Sequence, residues 1–255
     1  MKKLILAALA AAAVPASATV RTKAVEYKHG DVVLQGWAAW EDGFKDKRPG
    51  VLVVHEWWGH GPYARKRAEQ LAKLGYTAFA VDMYGKGVLA KDHEEAGKLA
   101  GAFFGDRTLM RDRALAGLAE LKKLPYVDET KLAAIGYCFG GTTVLELARA
   151  GTDLKGVASF HGNLATPVPA ADKPKASILV LHGAEDNFVN PGLAAFQDEM
   201  RKSKADWQLI SYGGAVHSFT VPEAGNDPSK GMAYNKEADK RSWAAMKAFF
   251  EELFN

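Results

Sequence analysis

The alternation of short aliphatic runs with helical stretches is the feature that most constrains how this chain can fold. Each run has the length and the Val, Ile, Leu and Ala content typical of a strand buried on both faces. The first segment reads as a β-hairpin at residues 25–40, with its turn at 29–31. Further strands are predicted at residues 50–54, 77–81, 131–137, 156–160, 177–181 and 208–212. Strands that alternate with helices predict an α/β fold with a mostly parallel central sheet and helices on both faces.

Helical periodicity of apolar residues predicts helices in the segments between these strands. Apolar residues share one helix face in three places, and Gly75 and Pro125 are placed to end the first two helices. The three stripes are Ala64, Ala68, Leu71 and Leu74; Met110, Ala114, Leu118 and Leu121; and Trp243, Met246, Phe250 and Leu253. In an open α/β sheet, ligands bind beyond the carboxyl ends of the strands. The residues that follow each strand are therefore the candidates for function.

The amino terminus reads as a secretory signal peptide rather than as part of this fold. Lys2 and Lys3 precede a short apolar stretch at residues 4–14, and Ala16 and Ala18 have the small-x-small form of a cleavage site. Cleavage after Ala18 is expected to leave residues 19–255 as a single α/β domain without a membrane anchor. This predicts a periplasmic or secreted protein.

The composition limits the classes of partner. The formal net charge is +3 at pH 7, and no cluster of basic and aromatic residues of the kind that binds nucleic acid is found in the sequence. The chain has one cysteine, so it cannot form an internal disulfide. The sequence does not define an oligomeric state, although a monomer is slightly favoured.

The single cysteine lies where an enzyme would carry a nucleophile. The segment at residues 136–141, Gly-Tyr-Cys-Phe-Gly-Gly, follows a predicted strand and opens a predicted helix. This is the pattern of the G-x-S-x-G nucleophile turn with Cys138 in place of serine. The first free amides of the helix carry partial positive charge, which favours a thiolate there. The alternative is a buried structural cysteine.

A carboxylate and a histidine follow two later strands in the order that this chemistry needs. Asp186 comes after the strand at 177–181 and His217 after the strand at 208–212, which gives the order nucleophile, acid, histidine. Imidazole can exchange a proton with a thiol near neutral pH, and a carboxylate fixes its tautomer. Glu185 is a competing acid. Asp186 could instead cap the next helix, and His217 could be an ordinary loop histidine.

A third group follows the strand at 50–54, in the segment His-Glu-Trp-Trp-Gly-His at residues 55–60. Glu56 beside two tryptophans is expected to be partly desolvated and to face the sulfur. The backbone amides of Trp57 and Phe139 are the predicted oxyanion donors. The alternative pairs Glu56 with an arginine and places the tryptophans in the core. The remaining histidines at strand ends, His55, His161 and His182, either line the pocket or are structural.

Together, these segments resemble the dienelactone hydrolase family, the carboxymethylenebutenolidases and their relatives. The resemblance covers most of the chain after the leader and rests on residues 55–59, 82–86, 136–141, 183–186 and 216–219. It implies an α/β-hydrolase fold, a Cys138–His217–Asp186 triad, Glu56 as the group that holds and activates the thiol, and no cofactor. It also implies an acyl-enzyme on Cys138 that water hydrolyses.

The resemblance also bears on which residues are expected to bind substrate. Lys86 stands where dienelactone hydrolases carry an arginine that binds the substrate carboxylate, and lysine lacks the bidentate fork of arginine. The residues expected to contact substrate are Trp58, Tyr84, Lys86 and His161. Segments 85–105 and 221–231 are expected to overhang the pocket in a shape that the sequence does not define.

The sequence therefore predicts a cysteine-dependent hydrolase of small carboxylic esters or lactones. The same groups would also serve a thioesterase or a peptidase. A binding or scaffold protein with a silent site is the alternative from another class, and redox work by the lone thiol lacks a resolving cysteine. No metal is expected, because the histidines lack ligand spacing.

Overall fold

The structure is a computed structural model that describes residues 19–44, 46–170 and 172–255. The predicted leader at residues 1–18 lies outside the described residues. The described chain forms an eight-stranded sheet in the order β1-β2-β4-β3-β5-β6-β7-β8. The strands are β1 (Val20–His29), β2 (Val32–Glu41), β3 (Arg48–Val54), β4 (Thr77–Val81), β5 (Val127–Tyr137), β6 (Gly156–Phe160), β7 (Ser177–Gly183) and β8 (Trp207–Tyr212).

The strand directions bring the carboxyl ends of six strands to one edge. Strands β3 to β8 are mutually parallel, whereas β1 and β2 form an antiparallel hairpin that joins the sheet through β4. Val54 pairs with Gly136 and Gly183 pairs with Tyr212, so the ends of β3, β5, β7 and β8 are in register. The segments after these strands therefore open at the same edge.

Helices cover both faces of the sheet. They are α1 (Pro62–Ala72), α2 (His93–Gly105), α3 (Arg107–Lys123), α4 (Phe139–Arg149), α5 (Leu193–Lys202) and α6 (Lys236–Phe254). Helices α1 and α6 bury one face of the sheet, and α2 to α5 bury the other, which gives two apolar cores. Among the described helices, none is both long and apolar enough to cross a bilayer. The predicted α/β-hydrolase architecture is confirmed.

Several element boundaries differ from the sequence prediction. The hairpin is longer than residues 25–40, and β5 begins at Val127 rather than at residue 131. Leu74 was expected on the buried face of the first helix, but α1 ends at Ala72 and Leu74 is exposed. There the chain closes the helix through the Tyr76 amide, which donates to the Leu71 carbonyl, and through Gly75 at φ 90°.

The structure defines the shapes of segments 85–105 and 221–231, which the sequence did not. Helix α2 occupies most of residues 85–105, and two short 3₁₀ turns, Pro222–Ala224 and Pro228–Lys230, lie within 221–231. Residues 231–233 return to the segment after β8, where His217 donates its amide to the Gly231 carbonyl at 3.2 Å. This second segment is thereby held against the histidine.

Candidate active site

Cys138 occupies a strained turn between β5 and α4. Its φ of 52° and ψ of −112° are unfavourable for a residue with a side chain. Two glycines make the turn possible: a Cβ on Gly136 would lie 2.0 Å from the Gly140 carbonyl oxygen, and one on Gly140 would lie 2.2 Å from the Val54 oxygen. This close packing explains the small residues of the motif. The cysteine side chain is partly exposed rather than sealed in the core.

The structure brings the predicted sulfur, imidazole and carboxylate into one chain of contacts. Nε2 of His217 lies 3.1 Å from Sγ of Cys138, and Nδ1 lies 2.7 Å from Oδ2 of Asp186. The second carboxylate oxygen, Oδ1, accepts hydrogen bonds from the amides of Phe188 and Val189. Asp186 therefore stabilises its own loop and also orients the imidazole. The capping alternative is not what the structure shows, because Val189 and Gly192 are the residues that precede the 3₁₀ turn Asn190–Gly192 and α5.

The electrostatics of this group favour a charged imidazole beside sulfur. Burial opposes a positive charge on His217, but a Cys138 thiolate and the hydrogen bond to Asp186 outweigh it and raise the pKa of His217 well above its usual value. His217 is buried and Asp186 is fully buried, so solvent screens their interaction weakly. This arrangement suits a positively charged imidazole at His217.

Close packing of two loops decides which acid meets the histidine. A Cβ on Gly183 would lie 2.7 Å from the Ala215 carbonyl oxygen, so the loops after β7 and β8 approach closely there. The Glu185 amide donates to Ala215 at 2.9 Å, while the Glu185 carboxylate lies on the outside, 3.4 Å from the Gly214 amide. Glu185 is therefore not the partner of His217.

Glu56 is a buried carboxyl group at the edge of the pocket. It is 6% exposed, and its Oε1 has no hydrogen-bond partner among the described residues. Burial raises the pKa of Glu56 to about 7, against the charges of His217 and Arg67, which lower it. Arg67, the arginine whose charge acts on Glu56, bonds to Asp239 at 2.6 Å instead. The ion-pair alternative for Glu56 is therefore not what the structure shows.

The segment around Glu56 is held by a neutral histidine. Nδ1 of His55 contacts the Glu56 carbonyl, and Nε2 accepts the Met83 amide at 3.2 Å. Burial lowers the pKa of His55 to about 4, so the ring stays uncharged. His55 is 1% exposed, so it braces this segment from within even though it borders the cavity.

The predicted oxyanion donors, the backbone amides of Phe139 and Trp57, lie at positions where the neighbouring backbone does not supply an acceptor. Phe139 begins α4, and the first amides of a helix have no intrahelical partner. Trp57 is inside the turn closed by the Gly59 amide and the Glu56 carbonyl, at 3.2 Å. Tyr84 was expected to contact substrate, but its hydroxyl donates to the Trp57 carbonyl at 3.1 Å and its ring is 9% exposed. Tyr84 therefore supports the Trp57 backbone.

His161 is buried beneath Cys138 and is not among the residues that line the cavity, which corrects the prediction that it binds substrate. Its Nδ1 accepts the Cys138 amide at 3.1 Å, and its Nε2 lies 2.8 Å from the Thr220 hydroxyl. Burial, together with the charges of His217 and Arg67, lowers the pKa of His161 well below its usual value. The neutral ring thus connects the nucleophile turn to Thr220.

His182 and Lys86 also lie apart from the pocket. Nε2 of His182 contacts Oδ1 of Asn190 at 2.7 Å, which ties the end of β7 to the Asp186 loop. Nζ of Lys86 forms an ion pair with Glu26 at 2.5 Å, and half of the lysine side chain is exposed. The structure does not place Lys86 where it was predicted to contact substrate, because Glu26 of the hairpin pairs with it on the outer surface.

A cavity of about 590 Å³ opens beside these groups. Its lining includes Glu56 and Ser218, the neighbour of His217, but not Cys138. The predicted contact Trp58 is among the lining residues, which also include Trp57, Gly59, Gly61, Pro62, Tyr63, Ala64, His93, Val221, Glu223, Ala224, Lys230 and Met232. Tyr63 was not predicted, although its place in the first turn of the helix after the tryptophan segment is a usable signal. His93, Glu223 and Lys230 were not predicted individually, but they lie in segments 85–105 and 221–231, which were expected to overhang the pocket.

Metal-ligating residues are not clustered in the part of the chain described here. No group of three or more His, Cys, Asp and Glu side chains among those residues is arranged to hold an ion. A thiol, an imidazole and a carboxylate in mutual contact are the groups that nucleophilic acyl transfer uses.

Known proteins of one family resemble this chain in sequence and in fold. The model of the dienelactone hydrolase family matches residues 34–254. A solved structure named m3DLH is 41% identical, with a TM-score of 0.89 over 92% of this chain and 99% of its own. The crystal structure of P91, described as a dienelactone hydrolase-like promiscuous phosphotriesterase from metagenomic libraries, is 41% identical, with a TM-score of 0.87 and the same coverage. A candidate carboxymethylenebutenolidase of Aquifex aeolicus is 30% identical over 76% of this chain and 85% of its own length.

Proposed function

This chain belongs to the dienelactone hydrolase family of carboxylic-ester hydrolases, and on that premise we propose that Cys138 is its nucleophile. The family supports a hydrolase of small esters or lactones. The observation that carries the role of Cys138 is its 3.1 Å contact with Nε2 of His217, in a turn that presents the sulfur to solvent. Sulfur, imidazole and Asp186 together form the arrangement that nucleophilic acyl transfer requires.

The first half-reaction forms an acyl-enzyme. The Cys138 thiolate attacks the carbonyl carbon, a carbon–sulfur bond forms, and the carbonyl electron pair moves to oxygen. The tetrahedral intermediate then collapses, the bond to the leaving oxygen breaks, and Nε2 of the His217 imidazolium gives its proton to that oxygen. In a lactone, the leaving alcohol remains attached to the acyl group.

The second half-reaction releases the acid. Water attacks the thioester carbonyl while Nε2 of His217 takes its proton, and the carbon–sulfur bond breaks to return the thiolate–imidazolium pair. Asp186 keeps Nδ1 protonated throughout, so that Nε2 faces the sulfur. The amides of Phe139 and Trp57 are proposed to donate to the oxyanion in both steps.

Glu56 is proposed to regulate the charge of the resting site. With its pKa raised to about 7 by burial, the carboxyl group is close to half-protonated at neutral pH. It can therefore accept or release a proton beside the cavity as substrate enters. This role relies on its burial and on its place in the cavity wall.

Phosphotriesters are a second candidate substrate class. The observation that favours them is the 41% identity with P91 over 92% of this chain, since that protein is described as a promiscuous phosphotriesterase. A thiolate can attack phosphorus as it attacks a carbonyl carbon. A neutral aryl phosphotriester therefore belongs in the substrate panel.

We also propose that the protein is exported and cleaved after Ala18, because Lys2 and Lys3 precede an apolar stretch with a small-residue exit. Amino-terminal sequencing of the protein recovered from its native host tests this proposal. A mature protein that begins at Thr19 is expected, and a protein that retains Met1 contradicts it.

The decisive experiment removes the sulfur. Cys138→Ala is expected to abolish hydrolysis of p-nitrophenyl acetate, short lactones and an aryl phosphotriester, while the thermal unfolding temperature stays close to that of the parent protein. Mass spectrometry of the parent during turnover is expected to show one acyl group on Cys138. Undiminished ester turnover by the variant would refute the role of sulfur. A folded parent protein that hydrolyses no compound in the panel would favour a silent binding protein.

A further inference from the structure

Three aromatic rings form one wall of the cavity. The ring centroids of Trp57 and Trp58 are 5.3 Å apart, and the His93 ring lies 5.6 Å from the first and 5.0 Å from the second. The interplanar angles are 64°, 74° and 77°, so each pair of rings meets edge to face. All three residues line the cavity, and Tyr63 adds a fourth aromatic side chain. Tryptophan and tyrosine rings that line a cavity can attract a cation that lies over one of their faces.

Among the described lining residues of the cavity, glutamates outnumber lysines and arginines by two to one. Glu56 and Glu223 are its two acidic lining residues, and the charge of Glu223 helps to raise the pKa of Glu56. The like charges therefore act on each other across the cavity. Glu223 lies in the 3₁₀ turn Pro222–Ala224 and is exposed, so it can meet a ligand at the rim without first losing another partner in the core.

The positive side chain in the described cavity lining is Lys230, and it already has an acidic neighbour. Its side chain is 78% exposed, and its Nζ lies 3.8 Å from Asp227. Arg67 is not among the lining residues and donates to Asp239 and to the Thr220 carbonyl. A substrate carboxylate would therefore meet two acidic side chains in this lining and one exposed lysine that lies beside Asp227.

We propose that this cavity binds the non-reacting part of an ester that carries a positive charge, an alkylammonium or quaternary ammonium group. The ammonium group lies against Trp57, Trp58 and His93, and Glu223 supplies the counter-charge at the rim. Glu56 lines this cavity, and its pKa is lowered by the charge of His217, the residue that contacts Cys138. In this proposal the ester carbonyl lies at Cys138 while the cationic end remains in the cavity. This inference rests on the proposed esterase function for its kinetic test, and a binding test makes it independent.

The kinetic test compares three esters of one acid. A choline ester carries the cation, the 3,3-dimethylbutyl ester replaces nitrogen by carbon in the same shape, and an ester with a terminal carboxylate carries the opposite charge. We expect kcat/KM for the choline ester to exceed that for its neutral isostere by about five- to thirtyfold, and the carboxylate ester to be the poorest substrate. Equal kcat/KM for the choline and dimethylbutyl esters, or a preference for the carboxylate ester, overturns the proposal.

Two variants assign the preference to the cavity. Glu223→Gln removes the rim charge and is expected to reduce the ratio of kcat/KM for the choline ester over the dimethylbutyl ester. Glu129→Gln removes the same charge from an exposed position near the start of β5, at the opposite end of the strands, and should leave that ratio as in the parent protein. If both variants change the ratio equally, overall charge explains it and the cavity proposal fails.

A binding measurement separates this inference from the esterase proposal. Benzyltrimethylammonium is titrated into Cys138→Ala while tryptophan fluorescence and heat of binding are recorded. Saturable binding that Glu223→Gln weakens in the same background supports the cationic cavity, even if no ester is hydrolysed by the parent protein. Absence of binding, in a protein that does hydrolyse esters, overturns the inference and leaves the proposed function in place.

Discussion

Nδ1 of His217 lies 2.7 Å from Oδ2 of Asp186, although the two residues are 31 positions apart in the chain. The contact exists because the loops after β7 and β8 approach closely at Gly183, where a side chain would meet the Ala215 carbonyl. Oδ1 of the same carboxylate accepts two amides of its own loop, so the acid is fixed from both sides. The imidazole is thereby aimed at Cys138 before any substrate arrives.

Asp186→Asn is expected to lower kcat for ester hydrolysis by roughly 10³- to 10⁴-fold, because an amide can no longer hold the imidazole in the required tautomer. The fold should survive, since asparagine can still accept the two loop amides through Oδ1. Stopped-flow or steady-state kinetics with p-nitrophenyl acetate measures the effect. The matched control, Glu185→Gln, changes an exposed carboxylate one residue away and should retain most of the parent activity. A larger loss in the control would mean that the wrong acid has been assigned.

Glu56→Gln is expected to stabilise the protein at alkaline pH relative to the parent. The pKa of Glu56 is raised to about 7, above its unfolded value near 4.5, so the folded state prefers the protonated carboxyl. In the parent, the protonated Glu56 carboxyl therefore contributes fully to the free energy of unfolding below about pH 4.5. This contribution, up to about 3 kcal/mol in total, is lost as the pH rises through about 7. Glutamine does not titrate.

Urea unfolding at several pH values checks this prediction. The difference in unfolding free energy between Glu56→Gln and the parent should grow from pH 5 to pH 8. A difference that stays constant over this range would show that Glu56 is ionised at no unusual cost. The activity of the variant is measured in parallel, since kcat/KM of the parent should inflect near pH 7 and that of the variant should not.

Gly140→Ala is expected to destabilise the fold by more than about 3 kcal/mol, because the added Cβ would lie 2.2 Å from the Val54 carbonyl oxygen. Neither backbone can withdraw without disturbing β3 or the nucleophile turn. The control is Gly101→Ala on α2, where nothing lies within 4 Å of an added Cβ. That substitution should stabilise the protein by about 0.5–1 kcal/mol, since alanine favours helix. Thermal unfolding distinguishes the two, and a mild effect of Gly140→Ala would contradict the packing described for the turn.

Thr220→Val is expected to lower kcat by about tenfold, equal to about 1.4 kcal/mol, with a smaller change in KM. The buried hydroxyl lies 2.8 Å from Nε2 of His161 and 2.7 Å from the Tyr63 hydroxyl, and valine keeps its shape without its polarity. His161 then loses the contact that fixes its tautomer, so its Nδ1 accepts the Cys138 amide less well. That amide also donates to the Phe160 carbonyl at 3.0 Å, so the turn itself is retained. His161 is thus a positioning residue.

The kinetics of Thr220→Val with an ester and its unfolding are measured beside those of a control variant. The control is Thr22→Val on the exposed face of β1, which should behave as the parent protein. A fall in stability with unchanged kcat would show that the hydroxyl supports the fold and not the nucleophile.

The sequence by itself determined the sheet and the nucleophile turn. Aliphatic runs of strand length alternate with helical stripes, and this pattern allows few arrangements other than a parallel sheet covered on both faces. The turn at Cys138 is also determined by local sequence, because the glycines that its close packing requires lie within six consecutive residues. The order of Cys138, Asp186 and His217 after their strands follows from the rule that such strands end at one edge.

The tertiary structure decided where individual side chains point and what surrounds them. Lys86 and His161 follow strands as predicted, yet one turns outward to Glu26 and the other is enclosed beneath Cys138. Their directions depend on partners supplied by distant segments, the hairpin for the first and Thr220 for the second. The cavity likewise combines residues after β3, at the start of α2 and in the 221–231 segment. Local sequence constrains backbone conformation within a few residues, whereas a cavity is set by packing between elements that lie far apart in the chain.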